Sequence, residues 1–221
     1  IALWVDGGQT FSILALEQVT FARDFQIIFF PVLAVGFGVL AGLWPFHTWS
    51  PDGHVAAPTA VSMLHAGVLM KLGAYGILRV AIVLLPEGAE FWAPVLLGLG
   101  TVNVLYGAVA ALAQKDLKYV VGYSSVSHMG YVLMGLSTLN VVGLDGAVLQ
   151  MFSHGIMTAL FFALIGIIYE RTHVRDIRVL EGLARRMGMT AGLFSVAGLA
   201  SLGLPGLSGF VAEFLIFLGL F

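Results

Sequence analysis

About six apolar stretches, each close to twenty residues long, leave this chain one class of fold: helices that cross a lipid bilayer. A hydrocarbon core roughly 30 Å thick takes about 20 apolar residues of helix. The runs fall at about 25–43, 58–85, 91–113, 119–138, 146–169 and from 190 onward. Charged residues make up only 10% of the chain, against about 25% in a soluble domain. The 28 glycines suit close backbone approach between membrane helices. The absence of cysteine excludes disulfides and Cys-ligated iron–sulfur clusters. The net charge of −2 gives no reason to expect a nucleic-acid partner.

The fold expected is an all-α, polytopic transmembrane bundle with two discontinuous helices. Residues 1–25 read as an extramembrane loop with a short surface helix, and residues 26–221 as the bundle. The chain begins at Ile1 without a basic, signal-like segment and stops inside the apolar run Phe210 to Phe221, so it reads as an internal piece of a longer protein. The first break is Gly42-Leu-Trp-Pro-Phe-His-Thr-Trp-Ser-Pro-Asp-Gly-His54, where prolines and tryptophans mark an interrupted helix with an interfacial connector. The second is Leu202-Gly-Leu-Pro-Gly-Leu-Ser-Gly209. Paired interruptions of this kind point to an ion pathway. Pro86 to Glu90, Gln114 to Lys118 and Asn140 to Asp145 read as connecting loops. Of ten Lys and Arg residues, Lys115, Lys118 and the five arginines of 171–186 fall on one side of the alternating topology. The positive-inside rule makes that side, with loops 114–118 and 170–189, cytoplasmic.

Lys71 stands near the middle of the second run, some 13 residues from either end. That is about 20 Å at 1.5 Å per residue, too far to reach the headgroups, and a lysine there costs roughly 3 kcal/mol or more. Such a residue faces a bundle interior or a hydrated path and is functional by default. An amine held away from water can load and release a proton near neutral pH. Gly67 and Tyr75 lie one turn to either side on its face. Glu213, just past the second break, is an intramembrane carboxylate suited to the same relay. A structural reading, capping of backbone donors freed at the break, stands beside it. His128 and His154 are central to their runs, and imidazoles titrate near pH 6.5; each is nearly as well explained by an interhelical hydrogen bond. His65 lies six residues before Lys71, about 240° around the helix, so the two do not share a face. His47 and His54 flank the connector and belong with His65 to a possible input path; no further ligands accompany them, which speaks against a metal site. Gly203-Leu-Pro-Gly-Leu-Ser-Gly209 lacks the lysine and strand of a phosphate-binding loop, so no nucleotide or cofactor site is expected in this chain.

Pro45-Phe-His-Thr-Trp-Ser-Pro-Asp-Gly-His54, then Ala57-Pro-Thr-Ala60, Ala66-Gly-Val-Leu-Met-Lys71 and Lys115-Asp-Leu-Lys-Tyr-Val-Val-Gly-Tyr-Ser-Ser-Val-Ser-His-Met-Gly130, closely resembles the M-type antiporter-like subunits of respiratory complex I, the proton-pumping NADH:quinone oxidoreductase. The likeness continues through His154, Gly203-Leu-Pro-Gly206 and Glu213, and the Leu-Met-Lys and Ser-His-Met-Gly elements favour the M type over its L- and N-type relatives. The resemblance implies an inverted-repeat, multi-pass subunit of a bacterial-type cytoplasmic membrane. It implies protons moved by a Lys71, His128, His154 and Glu213 relay, driven by redox chemistry elsewhere. NADH, FMN, iron–sulfur clusters and quinone would sit in partner subunits, and L- and N-type membrane-arm subunits would be neighbours. The family's further lysine, seven residues before the connector histidine, is Leu40 here. Protons are therefore expected to reach Lys71 past His65 or His54. A sodium/proton antiporter subunit, a membrane-hydrogenase subunit and a structural spacer that has lost transport are the competing functions.

Overall fold

The computed structural model describes residues 2–221, and among them the regular elements are helical apart from a single β-bridge between Asp116 and Asp176. The principal helices are α1 (Arg23–Ala41), α2 (Trp49–Ala56), α3 (Thr59–Ile82), α4 (Pro86–Leu112), α5 (Leu117–Ser137), α6 (Val141–Thr172), α7 (Gly188–Ser201) and α8 (Ser208–Gly219). α1, α3, α4 and α6 are long and apolar enough to cross a membrane. α5 is as long but carries Ser124, Ser125, Ser127 and His128, and most of it is buried by its neighbours. α7 and α8 are the two halves of one interrupted span.

Two expected loops turn out to be helix starts. Pro86 occupies the first turn of α4 with Glu87 beside it. Proline lacks only an N–H that would be unpaired there, and a carboxylate complements the helix dipole. The acidic composition of 86–90 therefore marks a first turn, and the chain reverses at Leu85 instead. Asn140 caps α6: its Oδ1 accepts from Gly143 N at 2.9 Å while its Nδ2 donates to Gly219 O at 2.6 Å. Residues 141–145 are thus helical, because an asparagine cap outweighs the polar character of Asp145. Asp116 does the same for α5, accepting from Lys118 N at 2.7 Å.

The breaks fall where Pro45 and Pro205 place them. α1 stops at Gly42, whose φ of +71° only glycine adopts freely. The backbone freed beyond it is taken up by side chains. Asn103, fully buried in α4, accepts from Trp44 N at 2.7 Å and donates to Val126 O at 2.7 Å. Trp49 Nε1 donates to Val39 O at 2.8 Å. α2 packs one face into the bundle, burying Ser50, Pro51 and His54, while Asp52 and Ala56 stay exposed.

Charge sorts the bundle by its ends. At one end the 114–118 turn and the 173–178 segment join through Leu117 N to Arg175 O (3.0 Å), Ile177 N to Lys115 O (2.9 Å) and an Arg175–Asp116 ion pair (3.1 Å). Hydrogen bonds from Arg178 hold the exposed Asp176 carboxyl down to about 2, so that pair stays ionised at physiological pH. At the other end, Gln26 Oε1 accepts from Glu87 N at 2.9 Å, and Arg79 pairs with Glu17 at 2.8 Å. That pair ties residues before α1 to α3, while Leu16 and Phe21 enter the main apolar core with Phe30, Met70, Ile77, Met129 and Leu133.

Candidate proton-relay site

Lys71 sits on a helix that is irregular on both sides of it. α3 widens to five-residue backbone turns over His65–Leu69 and Ile77–Ile82, leaving a regular piece, Met70–Gly76, between them. Such widened turns recur at functional positions because they expose carbonyls inside a helix. The Lys71 Nζ turns back to donate to Ala66 O, and the side chain is 8% exposed. It lines an apolar groove of about 530 Å³ between α3 and α6, with Gly67, Met151, Phe152 and Gly155. The two glycines bring the helices together: a Cβ on Gly155 would stand 2.7 Å from Gly67 O and 3.9 Å from Lys71 Cε. The lysine stem therefore passes directly over the backbone beside His154.

His154 stacks on His128, with ring centroids 5.0 Å apart and an interplanar angle of 27°. Both His154 ring nitrogens are buried without a hydrogen-bond partner among the described residues. His128 is the junction. Its Nδ1 lies 3.2 Å from Gln150 Nε2 and 3.7 Å from Glu213 Oε1, and its Nε2 lies 3.1 Å from Ser201 Oγ. His128 thus contacts both His154 and Glu213, so on the side of Glu213 the two histidines stand in the reverse of the order expected from sequence. Chain order cannot reveal this, because α8 returns to pack on both α5 and α6. One 2.7 Å hydrogen bond joins the hydroxyls of Ser153 on α6 and Ser208 at the start of α8, just beyond the second break. Gln150, one turn before His154 on α6, was not picked out from the sequence; its place on the face of His154 is the signal that identifies it.

The second break shapes the carboxylate's seat. Gly203 has φ +62°, and a Cβ there would lie 2.7 Å from Glu213 Oε2. Alanine at this position costs roughly 1–2 kcal/mol of backbone strain and pushes the carboxylate off His128. Gly203→Ala should therefore lower the thermal midpoint of the purified protein. An unchanged midpoint would show that neither the backbone nor the carboxylate's seat depends on this glycine.

The connector histidines divide. His54 is fully buried, 4.2 Å from the His65 ring and 4.9 Å from Phe162, with Nε2 at 3.3 Å from Ser50 Oγ. His65 stacks on Trp49 at 4.9 Å and keeps a buried, unpartnered Nε2. His47 is buried against Tyr106 (4.8 Å) and Tyr123 (6.4 Å) instead. Leu40 is half-buried in the last turn of α1 and brings no titratable group. Lys118, read from sequence as a charge of an exposed turn, is buried; its Nζ donates to Ala57 O at 2.7 Å. Its spacing to Gly122, Ser125 and Met129, the small inward face of α5, is the signal that places it inside.

A family profile described as NADH:quinone oxidoreductase/Mrp antiporter, transmembrane, matches residues 2–221. The chain is 44% identical over 214 residues to a Thermosynechococcus vestitus protein named NAD(P)H-quinone oxidoreductase chain 4 2, covering 97% of this chain and 40% of that one. It is 46% identical over 215 residues to a Synechococcus protein named NAD(P)H-quinone oxidoreductase chain 4 1, covering 96% of this chain and 41% of that one. The chain therefore spans about two fifths of the length of these relatives. Among solved structures, a chain of respiratory complex I from Thermus thermophilus with bound NADH superposes with TM-score 0.93 at 34% identity, over 99% of this chain and 47% of that one. A chain of the Mrp complex from Dietzia shares the fold at TM-score 0.83 and 24% identity, over 87% of this chain and 36% of that one.

Proposed function

The chain belongs to the NADH:quinone oxidoreductase/Mrp antiporter transmembrane family, and from that premise we propose that it is part of an M-type, proton-translocating subunit of a complex I-like NAD(P)H:quinone oxidoreductase. Residues 26–221 form its membrane-spanning part and 1–25 lie outside the lipid. The Lys/Arg-rich end with loops 114–118 and 170–189 faces the cytoplasm of an energy-coupling membrane. Protons move between Lys71 and Glu213 through His154 and His128, and the redox groups and quinone belong to partner membrane-arm and peripheral subunits.

The observation that carries this reading is the His128 ring, in contact with His154 on one side and 3.7 Å from Glu213 on the other, inside an apolar bundle. Imidazoles in such a row pass protons by taking one at one nitrogen and giving one from the other. With Leu40 in place of a titratable group, the buried His54 and the half-buried His65 serve together as the inlet to Lys71.

The test uses the full-length protein assembled with its partner subunits in vesicles. Quinone-coupled proton uptake should proceed equally with and without sodium. His65→Leu should reduce protons moved per quinone, and Leu40→Lys in that background should restore part of the loss. Sodium-dependent exchange without any redox substrate would assign the chain to the antiporter branch instead. Full pumping in His65→Leu would remove the histidine pair from the inlet.

A further inference from the structure

We infer that Lys118 is a positioning residue: its ammonium fills the carbonyls left open at the end of α2 and so holds His54 against His65. The inference rests on the reading above, in which His54 and His65 lead protons to Lys71.

The need begins with Pro58. In a continuous helix the carbonyl of His54 would accept from the N–H of residue 58, and proline has none. The His54 carbonyl is nevertheless buried, so this acceptor must be met by a side chain. Two side chains meet it. Ser62 Oγ donates to His54 O at 2.8 Å, and Lys118 Nζ, from a different helix, donates to the same oxygen at 3.3 Å. The Nζ also donates to Ala57 O at 2.7 Å and to Ser62 Oγ at 3.3 Å. Three N–H bonds thus meet three neutral acceptors, all at the α2–α3 junction, which is the full donor capacity of an ammonium.

The lysine is not held by an acid. Asp116, the carboxylate nearest in sequence, caps the Lys118 backbone N–H and pairs with Arg175 at 3.1 Å. The other groups around this end of the cluster are His65, Asp52 bound to Tyr119 Oη at 3.1 Å, and Arg175. A charge bonded only to backbone and hydroxyl oxygens acts as a fixed clamp.

The same face of α5 also touches the histidine ring. One turn beyond Lys118, a Cβ on Gly122 would lie 3.2 Å from Pro51 Cα and 3.7 Å from His54 Cδ2. α2 is therefore seated on α5 at two points, the ring and the carbonyl. Releasing the carbonyl lets the end of α2 swing and opens the 4.2 Å spacing between His54 and His65.

The experiment compares Lys118→Met, Lys118→Arg and Ser62→Ala in the full-length protein within its complex, with proton uptake normalised to assembled complex. Lys118→Met should lower pumping roughly tenfold, as loss of a hydrogen bond from a charged donor does. Its solvent deuterium isotope effect should rise, because proton loading now limits turnover; a defect confined to assembly would leave that isotope effect unchanged. Lys118→Arg, which keeps the charge and the donors, should recover most of the rate. Ser62→Ala should shift rate and isotope effect the same way by less. Wild-type pumping in Lys118→Met would overturn the inference. Arg as inactive as Met would also overturn it, since the amine would then have to give up its proton. If Lys118→Met fails to assemble, an unchanged isotope effect in Ser62→Ala would overturn it. Normal pumping in Lys71→Met would mean that the relay reading itself has failed. Loss in Lys71→Met with none in Lys118→Met would remove the clamp alone.

Discussion

Lys71→Met should lower redox-driven proton pumping by roughly 100-fold, the lower range for removing a positioned proton-transfer group, while the complex still assembles. Assembly should survive because the site is built for an apolar stem: Gly67, Met151, Phe152 and Gly155 surround it, and among the described residues the single hydrogen-bond partner of Nζ is the Ala66 carbonyl. Methionine matches the length of the stem and removes a buried charge, a change that is often neutral or stabilising. Lys71→Arg should recover little, since a guanidinium keeps its proton. Proton uptake per electron, measured in vesicles with assembled complex quantified by its NADH-oxidising activity, decides the matter. Pumping at the wild-type rate in the methionine variant would reject Lys71 as a relay.

Glu213→Gln should have the second-largest effect, a fall of roughly tenfold to 100-fold in pumping. Glutamine fills the same volume between His128 and Gly203, but it cannot accept a proton from the imidazole. Glu213→Asp should fall between the two. Its carboxylate is one methylene shorter and retreats from a His128 contact that already spans 3.7 Å. A structural role, capping donors freed at the second break, predicts the opposite ranking: glutamine tolerated and aspartate damaging. Comparing the two variants therefore separates proton transfer from capping without reference to any other residue.

Much of this architecture was legible because lipid imposes so few choices. Run length alone located α1, α3, α4 and α6, and the glycine–proline clusters located both interruptions. The helix starts at Pro86 and Val141 were misjudged, because polar composition was read as a loop where it served as a first turn and a cap. At the candidate site, each single ionisable group stands out against an apolar background, so Lys71, His128, His154 and Glu213 can be picked out as candidates one at a time. Their order was not legible, since it depends on how α8 folds back across α5 and α6. Lys118 was missed for a related reason. Positive charges near a span end normally set orientation, and nothing in a charge count shows that one of them turns inward to meet a proline's missing donor. Gln150 was passed over because an uncharged amide does not register in a search for titratable groups.

The widened turns on either side of Met70–Gly76 give α3 a mechanical property that a uniform helix lacks. A widened turn inserts one surplus residue, so the face of the helix shifts by about 100°, one residue's worth of helical twist. Met70–Gly76 therefore keeps a register separate from that of Thr59–Leu64, and Gly73 and Gly76, seated against Ala41 and Phe37, fix it there. Lys71 is aimed by its own short, clamped segment and not by the whole length of α3.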